Sequence, residues 1–487
     1  GLGDVYKRQL VEEAIIKMLA QLDPHSTYSD AEEVKKMNEP LQGNFEGIGV
    51  QFQMIEDTLL VVQPVSNGPS EKIGILAGDR IIAVNDSAIA GVKMSTEEIM
   101  KRLRGPKGSK VNLKIVRRGV QDPLVFTVKR DKIPILSLDA SYMIQPKTGY
   151  IRINRFGATT AEEFKKAMKE LQKQGMKDMI LDLQGNGGGY LNAAIDLANE
   201  FLGQKELIVY TEGRTAKRSD FYAKGNGEFR NGRLIVLVDE YTASASEIVS
   251  GAVQDWDRGI IVGRRSFGKG LVQRPIDLPD GSMIRLTIAR YYTPAGRCIQ
   301  KPYDSSTDYN KDLIERFNHG ELMNADSIHF PDSLKVQTKK LGRTVYGGGG
   351  IMPDYFVPID TTLYTDYHRN LVAKGAVIKF TMKFIEGHRK ELANKYKKFE
   401  SFNEKFIIDD DMLATLREMG EKEGVKFNEE QYQKSLPLIK TQLKALIARD
   451  LWDMNEYFRV MNTTNESVQK ALEILNSEEY QKKLRAN

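Results

Sequence analysis

The chain has 487 residues, of which 41% are hydrophobic and 28% are charged, and its formal net charge is +5 at pH 7. The length predicts about two to four domains, and the composition is that of a folded protein rather than a disordered one. The small charge, without a basic stripe interleaved with aromatics, gives no indication of a nucleic-acid partner, and the single Cys298 excludes an intrachain disulfide and a multi-cysteine metal site.

The sequence contains no apolar run near the roughly 20 residues that span a bilayer, and no segment typical of a signal peptide. It begins GLGDVYKRQL, without an initiator methionine, so we expect the natural N-terminus to lie upstream. The absence of a targeting segment therefore says little about location.

Residues 1–42 are predicted to form a helical arm, because an apolar stripe at helical spacing ends at Asp23-Pro24. The stripe consists of Leu10, Ile15, Met18, Leu19 and Leu22. Over residues 43–132 the pattern changes to short strands such as GIGVQFQM and KVNLKIVR, separated by Gly, Asn and Pro clusters and interrupted by short helical patterns. This pattern predicts a small, mostly β domain.

Residues 133–360 alternate between strand and helix patterns, which is typical of α/β layering. Continuous apolar strands such as MILDL and LIVLV indicate a sheet buried on both faces. Residues 300–345 are polar and are interpreted as an excursion, and residues 361–487 are predicted to be a charged helical region. The predicted fold class is an α/β core preceded by a mostly β domain, with helical regions at both ends.

The segment DEYTASASEIVSG, residues 239–251, places several hydroxyl side chains between an apolar strand and a helix. Ser244 and Glu247 fit a capping box, so Ser244 is a candidate helix cap. A serine at a strand-to-helix turn is also placed like a nucleophile, because the next backbone N–H groups and the helix dipole favour an oxyanion. Both roles remain open on these residues alone.

No histidine lies between residues 26 and 318. A nucleophilic serine here therefore needs a different base, unless a histidine folds in from far away. The candidate base is Lys269, in GRRSFGKGLVQ, whose flanking glycines allow close approach of neighbouring groups. A free lysine has a pKa of about 10.4, but burial, or a cation such as Arg264 or Arg265, lowers it to roughly 7–8. The alternative is an ordinary solvated lysine.

The stretch from Gly263 to Lys269 also spells most of a phosphate-binding loop, G-x-x-x-x-G-K. The position of the magnesium-binding hydroxyl is occupied by Gly270, and the following segment has the pattern of a β-hairpin rather than a helix. Nucleotide binding is therefore disfavoured.

The run GNGGGY, residues 185–190, fails as a dinucleotide fingerprint because Tyr190 takes the place of the third glycine. Its backbone can instead face a concave site without side-chain obstruction. Gly188 or Gly189 could then supply a second oxyanion donor beside the N–H of Ala245, although a plain flexible turn explains the run equally well.

The motifs DLQGNGGG, TASASEI, FGKGLVQ, LTIARYYTPAGRCI and GGGGIMPD follow one another in an order that strongly resembles the C-terminal processing peptidases, or tail-specific proteases. LDPHSTY and GNFEGIGVQF extend the resemblance upstream, to roughly residues 20–360. It implies a serine–lysine peptidase that needs no metal or cofactor, with Ser244 as nucleophile, Lys269 as base and Gln273 as the partner that orients the amine. Thr242 conservatively replaces the first serine of the family pattern, and Ser246 ranks well behind Ser244.

The resemblance also implies that residues 43–132 form a PDZ domain. Gly47, Ile48, Gly49 and Val50 then match the loop that binds a terminal carboxylate, through the N–H groups of Ile48 and Gly49. The peptide would add as a strand at the sheet edge, and Ile48 and Val50 would favour an apolar last residue; a plain hydrophobic strand start is the alternative. Arg104 is implied as a link between the occupied PDZ domain and the protease site.

We therefore expect a PDZ-gated serine endopeptidase that acts on proteins or peptides with exposed, apolar C-termini. The alternative is a catalytically silent PDZ scaffold. The C-terminal helices are expected to serve as an adaptor surface or to support a homo-oligomer. By resemblance, we expect a periplasmic or cell-envelope location in a bacterium.

Overall fold

The structure is a computed structural model that describes residues 2–304 and 308–485. Residues 305–307 of the predicted excursion, and residues 1, 486 and 487 of the predicted terminal regions, lie outside the described residues. The chain divides into two compact units, each built from separate stretches. Unit 1 comprises Gly1–Gly43, Leu136–Asp360 and Asn465–Asn487, and unit 2 comprises Asn44–Ile135 and Thr361–Thr464.

The elements follow the predicted alternation of helical, β, α/β and helical regions. The first stretch of unit 1 contains α1 (Leu2–Ala20), β1 (Thr27–Ser29) and α2 (Ala31–Gln42). The first stretch of unit 2 contains β2 (Asn44–Gly47), β3 (Val50–Ile55), β4 (Thr58–Pro64), α3 (Pro69–Lys72), β5 (Arg80–Val84), β6 (Ser87–Ala88), α4 (Thr96–Leu103), β7 (Lys110–Val116), β8 (Leu124–Lys129) and β9 (Asp131–Pro134).

The main stretch of unit 1 contains β10 (Leu138–Gln145), β11 (Thr148–Ile153), α5 (Thr160–Lys173), β12 (Asp178–Asp182), α6 (Leu191–Asn199), β13 (Leu207–Glu212), β14 (Ser219–Tyr222), β15 (Leu234–Val238), α7 (Ala245–Asp255), β16 (Ile260–Gly263), β17 (Leu271–Asp277), β18 (Met283–Tyr292), α8 (Asp312–Asn318), β19 (Lys335–Gln337), β20 (Thr344–Tyr346) and β21 (Tyr355–Phe356). Helices complete the chain: α9 (Asp366–Ala373), α10 (Ala376–Lys395), α11 (Phe399–Lys405), α12 (Asp410–Lys422), α13 (Glu429–Leu451), α14 (Met454–Met461), α15 (Glu466–Leu475) and α16 (Glu479–Lys483).

The core of unit 1 is a sheet with strand order β10-β11-β12-β15-β16-β21. All neighbours pair in parallel except β10 and β11, which are antiparallel. Every residue of β12 and β15 is buried, as expected for apolar strands covered on both faces. The predicted α/β core is confirmed.

A second sheet in unit 1 has the order β1-β18-β13-β14, and β17 also pairs with β18. Strands β17 and β18 form the antiparallel hairpin that the sequence predicted after Lys269, and Gln273 lies opposite Thr287 in its register. A hairpin in this place offers no helix N-terminus to a phosphate, which removes the support for a nucleotide-binding loop.

The β region of unit 2 has a sheet with the order β3-β4-β5-β7-β8, over a core of buried aliphatic residues that includes Ile99 and Leu103 of α4. Strand β3 stands at one end of this order and pairs only with β4. One edge of β3 therefore carries no strand partner among the residues that the structure describes.

The helical stretch of unit 2 packs against the outer part of the same sheet. A small apolar cluster at this contact contains Ile55, Leu60, Ile378 and Met382. Gln63 also donates from its side chain to the carbonyl oxygen of Trp452 (3.0 Å), and Arg80 pairs with Glu386 (3.0 Å). The two stretches of unit 2 thus share apolar and polar contacts.

The last two helices belong to unit 1, so the structure divides the predicted helical region 361–487 differently from the sequence. Buried residues of α15, among them Val468 and Ile474, face inwards, and the Leu234 N–H donates to the Tyr480 hydroxyl (3.0 Å). The apolar pattern of a helix shows that one face is buried but does not show which unit covers it. No helix in the described part of the chain is both long and apolar enough to cross a membrane.

Candidate active site

Ser244 lies at the turn between the buried strand β15 and helix α7. Its backbone has φ 55° and ψ −116°, a region that residues other than glycine rarely occupy. The Glu247 side chain accepts the Ser244 N–H (2.8 Å), which is the glutamate half of the predicted capping box, and the Glu247 N–H donates to the Ser244 carbonyl oxygen (2.8 Å). A strained serine between a strand and a helix also has the geometry of a nucleophile elbow.

Burial separates the hydroxyl residues of this turn. Thr242 and Ser246 are fully buried, at 0% exposure, and each donates its hydroxyl to a backbone carbonyl, that of Leu183 (2.9 Å) and Asn186 (3.0 Å) respectively. Ser244 is partly exposed between buried neighbours. Accessibility therefore favours Ser244 over Ser246 as the residue that can meet a substrate.

Glu247 connects the serine turn to the loop that carries Lys269. Its Oε2 accepts the N–H groups of both Ser244 (2.8 Å) and Lys269 (2.9 Å). Its Oε1 accepts from the Ser266 hydroxyl (2.6 Å) and the Gly268 N–H (2.6 Å). Burial raises the pKa of this carboxyl to about 7, against the opposing effect of the hydrogen bonds that it accepts. One side chain thus fixes the backbone of both predicted reactive residues.

Lys269 is half-buried, and its pKa is lowered below the ordinary value, first by burial and next by the positive charge of Arg285. The expectation that Arg264 or Arg265 supplies this charge is not met, because these residues pair with Glu240 (2.6 Å) and Glu321 (2.5 Å). A lysine with a lowered pKa is more often neutral and can accept a proton.

The side chains of the predicted triad are not directly bonded to one another. Among residues 2–304 and 308–485, no hydrogen bond joins the Lys269 amine to the Ser244 hydroxyl or to the Gln273 side chain. Gln273 instead donates its side-chain N–H to the backbone carbonyl of His25. Catalytic hydrogen bonds often form only in the substrate complex, so this arrangement is compatible with a reacting site.

Gly188 lies directly against the serine turn. A Cβ atom on Gly188 would stand 2.8 Å from the Ser244 Cβ and 2.9 Å from the Ala245 nitrogen, and its φ is +99°. Its N–H is donated to the Asn186 side chain (2.9 Å), whereas the Ala245 N–H has no acceptor within the described residues. Gly189 packs on Phe156, because a Cβ there would lie 2.0 Å from the Phe156 carbonyl oxygen. Of the three predicted oxyanion donors, Ala245 and Gly188 thus lie directly beside Ser244.

Asn186, which was not among the predicted site residues, also organises this site. Its side chain bridges the Ile153 carbonyl (2.9 Å) and the Gly188 N–H (2.9 Å), and its backbone carbonyl accepts from Ala243 (3.0 Å). Its side chain is fully buried. An asparagine at the head of a glycine run was the available signal, because asparagine satisfies local backbone groups in turns.

In the predicted carboxylate-binding loop of unit 2, the carbonyl groups of Ile48 and Gly49 accept hydrogen bonds from within the unit. Ser70 donates to the Ile48 carbonyl through its hydroxyl (2.6 Å), and Val65 donates to the Gly49 carbonyl (2.9 Å). No acceptor for the N–H groups of Ile48 and Gly49 is found in the described part of unit 2. Gly47 pairs with Asp131 in the strand that precedes the loop.

Val50 is the first residue of β3, the strand with one unpaired edge, and it packs partly against the core of unit 2. The Ile48 side chain is buried in the same core. The Arg104 guanidinium lies over the Phe45 ring, 4.7 Å from its centroid. Its implied link to the protease site remains a prediction. No group of acidic, histidine or cysteine side chains suited to a metal ion occurs among the described residues.

Family models match three regions of the chain. Peptidase family S41 matches residues 147–307, and the PDZ domain model matches residues 47–132. A family of unknown function matches residues 367–453. The first match contains all the residues of the predicted active site, and the second contains the predicted carboxylate-binding loop.

Two curated relatives share the larger part of the chain. A carboxy-terminal-processing protease of Bartonella bacilliformis is 38% identical over 317 residues, which are 61% of this chain and 71% of that protein. Carboxy-terminal processing protease CtpB of Bacillus subtilis is 35% identical over 300 residues, 61% of this chain and 62% of that protein, so this chain spans less than two thirds of its length. A solved photosystem II D1 C-terminal processing protease is 32% identical, and the match covers 60% of this chain and 80% of that chain, with a TM-score of 0.36.

Proposed function

The chain belongs to the carboxy-terminal processing proteases of peptidase family S41, a family of serine proteases, and we propose that it cleaves peptide bonds with Ser244 and Lys269 after its PDZ domain has captured a C-terminal tail. The observation that carries the proposal is the shared acceptor Glu247. Its Oε2 binds the N–H groups of Ser244 (2.8 Å) and Lys269 (2.9 Å), which holds a strained, accessible serine close to a lysine of lowered pKa.

In the proposed reaction, neutral Lys269 takes the proton of the Ser244 hydroxyl, and the oxygen attacks the scissile carbonyl carbon. The N–H of Ala245 holds the resulting oxyanion, with a second donor from Gly188 once its N–H leaves Asn186, or from Gly189. Protonated Lys269 then gives its proton to the leaving amine. Water, deprotonated by the Lys269 amine, then attacks the ester carbonyl; the C–O bond to Ser244 breaks, the lysine returns the proton to the Ser244 oxygen, and the shortened chain leaves.

Gln273 is proposed to orient the Lys269 amine. Its side-chain N–H is taken up by the His25 carbonyl, so its Oε1 remains as an acceptor for an amine N–H. An amide supplies this hydrogen bond without adding a charge, and therefore does not strongly favour the ammonium form of the lysine.

Tail recognition is proposed to occur at Gly47, Ile48, Gly49 and Val50 and along the edge of β3. The N–H groups of Ile48 and Gly49 suit a terminal carboxylate, and the strand edge suits β-augmentation by an extended peptide. The preference for an apolar last residue is supported at Val50, which is only partly buried, more than at Ile48, whose side chain lies in the core.

A peptide library with varied C-termini, digested by wild-type protein, Ser244→Ala and Ser246→Ala, tests the chemistry. We expect Ser244→Ala to lose cleavage and retain peptide binding, and the matched control Ser246→Ala to keep most of the activity. A serine-reactive probe should label only proteins with Ser244, whereas a silent PDZ scaffold would not be labelled. Cleavage that persists in Ser244→Ala contradicts the assignment.

Replacing the free carboxylate of a cleaved peptide by an amide tests tail recognition separately. We expect binding to the PDZ domain to fall strongly for the amide; equal binding of both forms would overturn the proposed mode. A periplasmic or envelope location is likewise a proposal, tested by fractionation of the producing bacterium. Oligomer formation through the C-terminal helices is tested by light scattering.

A further inference from the structure

A chain of hydrogen bonds encloses the segment that follows the predicted base. The Gly270 N–H donates to Gln300 Oε1 (2.8 Å), and Gln300 Nε2 donates to the Tyr309 hydroxyl (3.2 Å). The Tyr309 hydroxyl bonds His25 Nε2 (2.6 Å), and the His25 carbonyl accepts the side chain of Gln273. We refer to the hydrogen bond between His25 Nε2 and the Tyr309 hydroxyl as the His25–Tyr309 bridge. It joins two distant stretches of chain beside the lysine and its predicted partner.

The backbone at His25 is itself held against β18. The Asp23 carboxylate accepts the N–H groups of His25 (2.9 Å) and Ser26 (2.9 Å) and the Thr287 hydroxyl (2.9 Å). Thr287 lies opposite Gln273 in the hairpin register. The backbone next to His25 is therefore tied to the strand opposite Gln273, while the His25 ring is held by Tyr309.

The charge state of both rings agrees with this network. Burial lowers the pKa of His25 to about 4, with a further lowering from the charges of Lys269 and Lys301 that Asp23 opposes. Burial raises the pKa of Tyr309 to about 12. Near neutral pH the imidazole is uncharged, and its Nδ1–H tautomer lets Nε2 accept the Tyr309 O–H, while the Tyr309 oxygen accepts from Gln300.

We propose that His25 and Tyr309 are positioning residues for the reaction: their bridge holds the His25 carbonyl where it binds the Gln273 N–H, which turns Gln273 Oε1 towards the Lys269 amine. The inference rests on the proposed Ser244 and Lys269 chemistry. His25 acts through Gln273 and transfers no proton, because its Nε2 is already bonded to Tyr309 and its basicity is low.

Tyr309→Phe removes the hydroxyl and keeps the ring, which lies against the Lys301 ammonium at 4.3 Å. Tyr303→Phe is the matched control, because its hydroxyl bonds Arg290 (3.3 Å) and takes no part in the bridge. We expect Tyr309→Phe to lower kcat about 10-fold with KM nearly unchanged, and Tyr303→Phe to stay within about 2-fold of wild type. The acid limb of the kcat/KM profile should move to lower pH in Tyr309→Phe, because the ammonium loses an oxygen acceptor.

Two further comparisons separate positioning from general stability. In a Gln273→Ala background, Tyr309→Phe should cause no additional loss of kcat, because its effect passes through Gln273. His25→Gln, which retains a hydrogen-bonding group near the Nε2 position, should recover most of the kcat lost in His25→Leu. Additive losses in the double variant, or a Tyr309→Phe protein that matches Tyr303→Phe, would overturn the inference alone. Cleavage that does not depend on Ser244 would overturn the proposed function and the inference with it.

Discussion

Replacing Glu247 by glutamine perturbs a side chain that joins both reactive loops. The carboxylate accepts two donors on each oxygen, at 2.8 and 2.9 Å on Oε2 and at 2.6 and 2.6 Å on Oε1. A glutamine turns one oxygen into an NH₂ group, so at least two donors lose their acceptor and face another donor. A buried donor left without a partner costs about 1–3 kcal/mol, so the substitution should destabilise the site by about 2–6 kcal/mol.

A displacement of reactive groups by about 1 Å lowers rates roughly 100-fold, and we expect a fall in kcat of at least that order for Glu247→Gln. The measurements are the free energy of unfolding in urea, kcat on a peptide substrate, and the rate of labelling by a serine-reactive probe. Glu240→Gln is the matched control, because Glu240 is buried in the same turn but pairs with Arg264 (2.6 Å). It should lose stability and keep kcat within about 3-fold, since no reactive residue depends on it.

If Glu247→Gln retains wild-type kcat and probe labelling, the shared acceptor is not what assembles the site. The same conclusion follows if Glu240→Gln loses as much activity as Glu247→Gln, because the loss would then reflect general destabilisation.

Three further outcomes are expected. Gly188→Ala should abolish cleavage in the peptide assay. The alanine Cβ would lie 2.8 Å from the Ser244 Cβ, and the backbone φ of +99° at this position strains any residue other than glycine. Normal activity in a folded variant would contradict this. The kcat/KM of wild type should rise with pH to a plateau reached below the ordinary lysine pKa, since neutral Lys269 is the base. The contribution of Lys269 to stability should rise with pH from its lowered folded pKa up to the ordinary value, because in that window the unfolded chain still holds the lysine proton. A flat kcat/KM profile, or one that rises only near the ordinary pKa, would refute this. Ser70→Ala removes the 2.6 Å bond to the Ile48 carbonyl and should weaken tail binding several-fold by calorimetry without changing probe labelling; unaltered affinity would count against the loop.

The sequence was most informative where local chemistry decides the structure. Strands such as LIVLV could be assigned because uninterrupted apolar residues need a sheet covered on both faces, and β15 is buried throughout. The Ser244 and Glu247 capping pair was also visible, because both residues lie within one helical turn. The second role of Glu247, as acceptor for the Lys269 loop, depends on a contact between separate loops and had no local signal.

Long-range pairing accounts for the expectations that were not met. Arg264 and Arg265 lie close to Lys269 in sequence, but each is paired with a carboxylate, and the charge that acts on the lysine is that of Arg285 on β18, the strand that pairs with β17. His25 was assigned to a terminal arm, yet β1 pairs with β18 and brings it beside Gln273. Registers between distant strands cannot be derived from periodicity, which reports only the buried face of each element.

The contact between the PDZ sheet and the helices of unit 2 has a consequence for biosynthesis. Gln63 and Trp452 are 389 positions apart, and the main stretch of unit 1, Leu136–Asp360, is synthesised between them. Until α10 leaves the ribosome, Ile55 and Leu60 lack the apolar partners Ile378 and Met382 that cover them in the finished fold. The nascent PDZ sheet should therefore expose an aliphatic patch during most of translation. Exposed apolar surface of this kind is prone to aggregation and is bound by holdase chaperones.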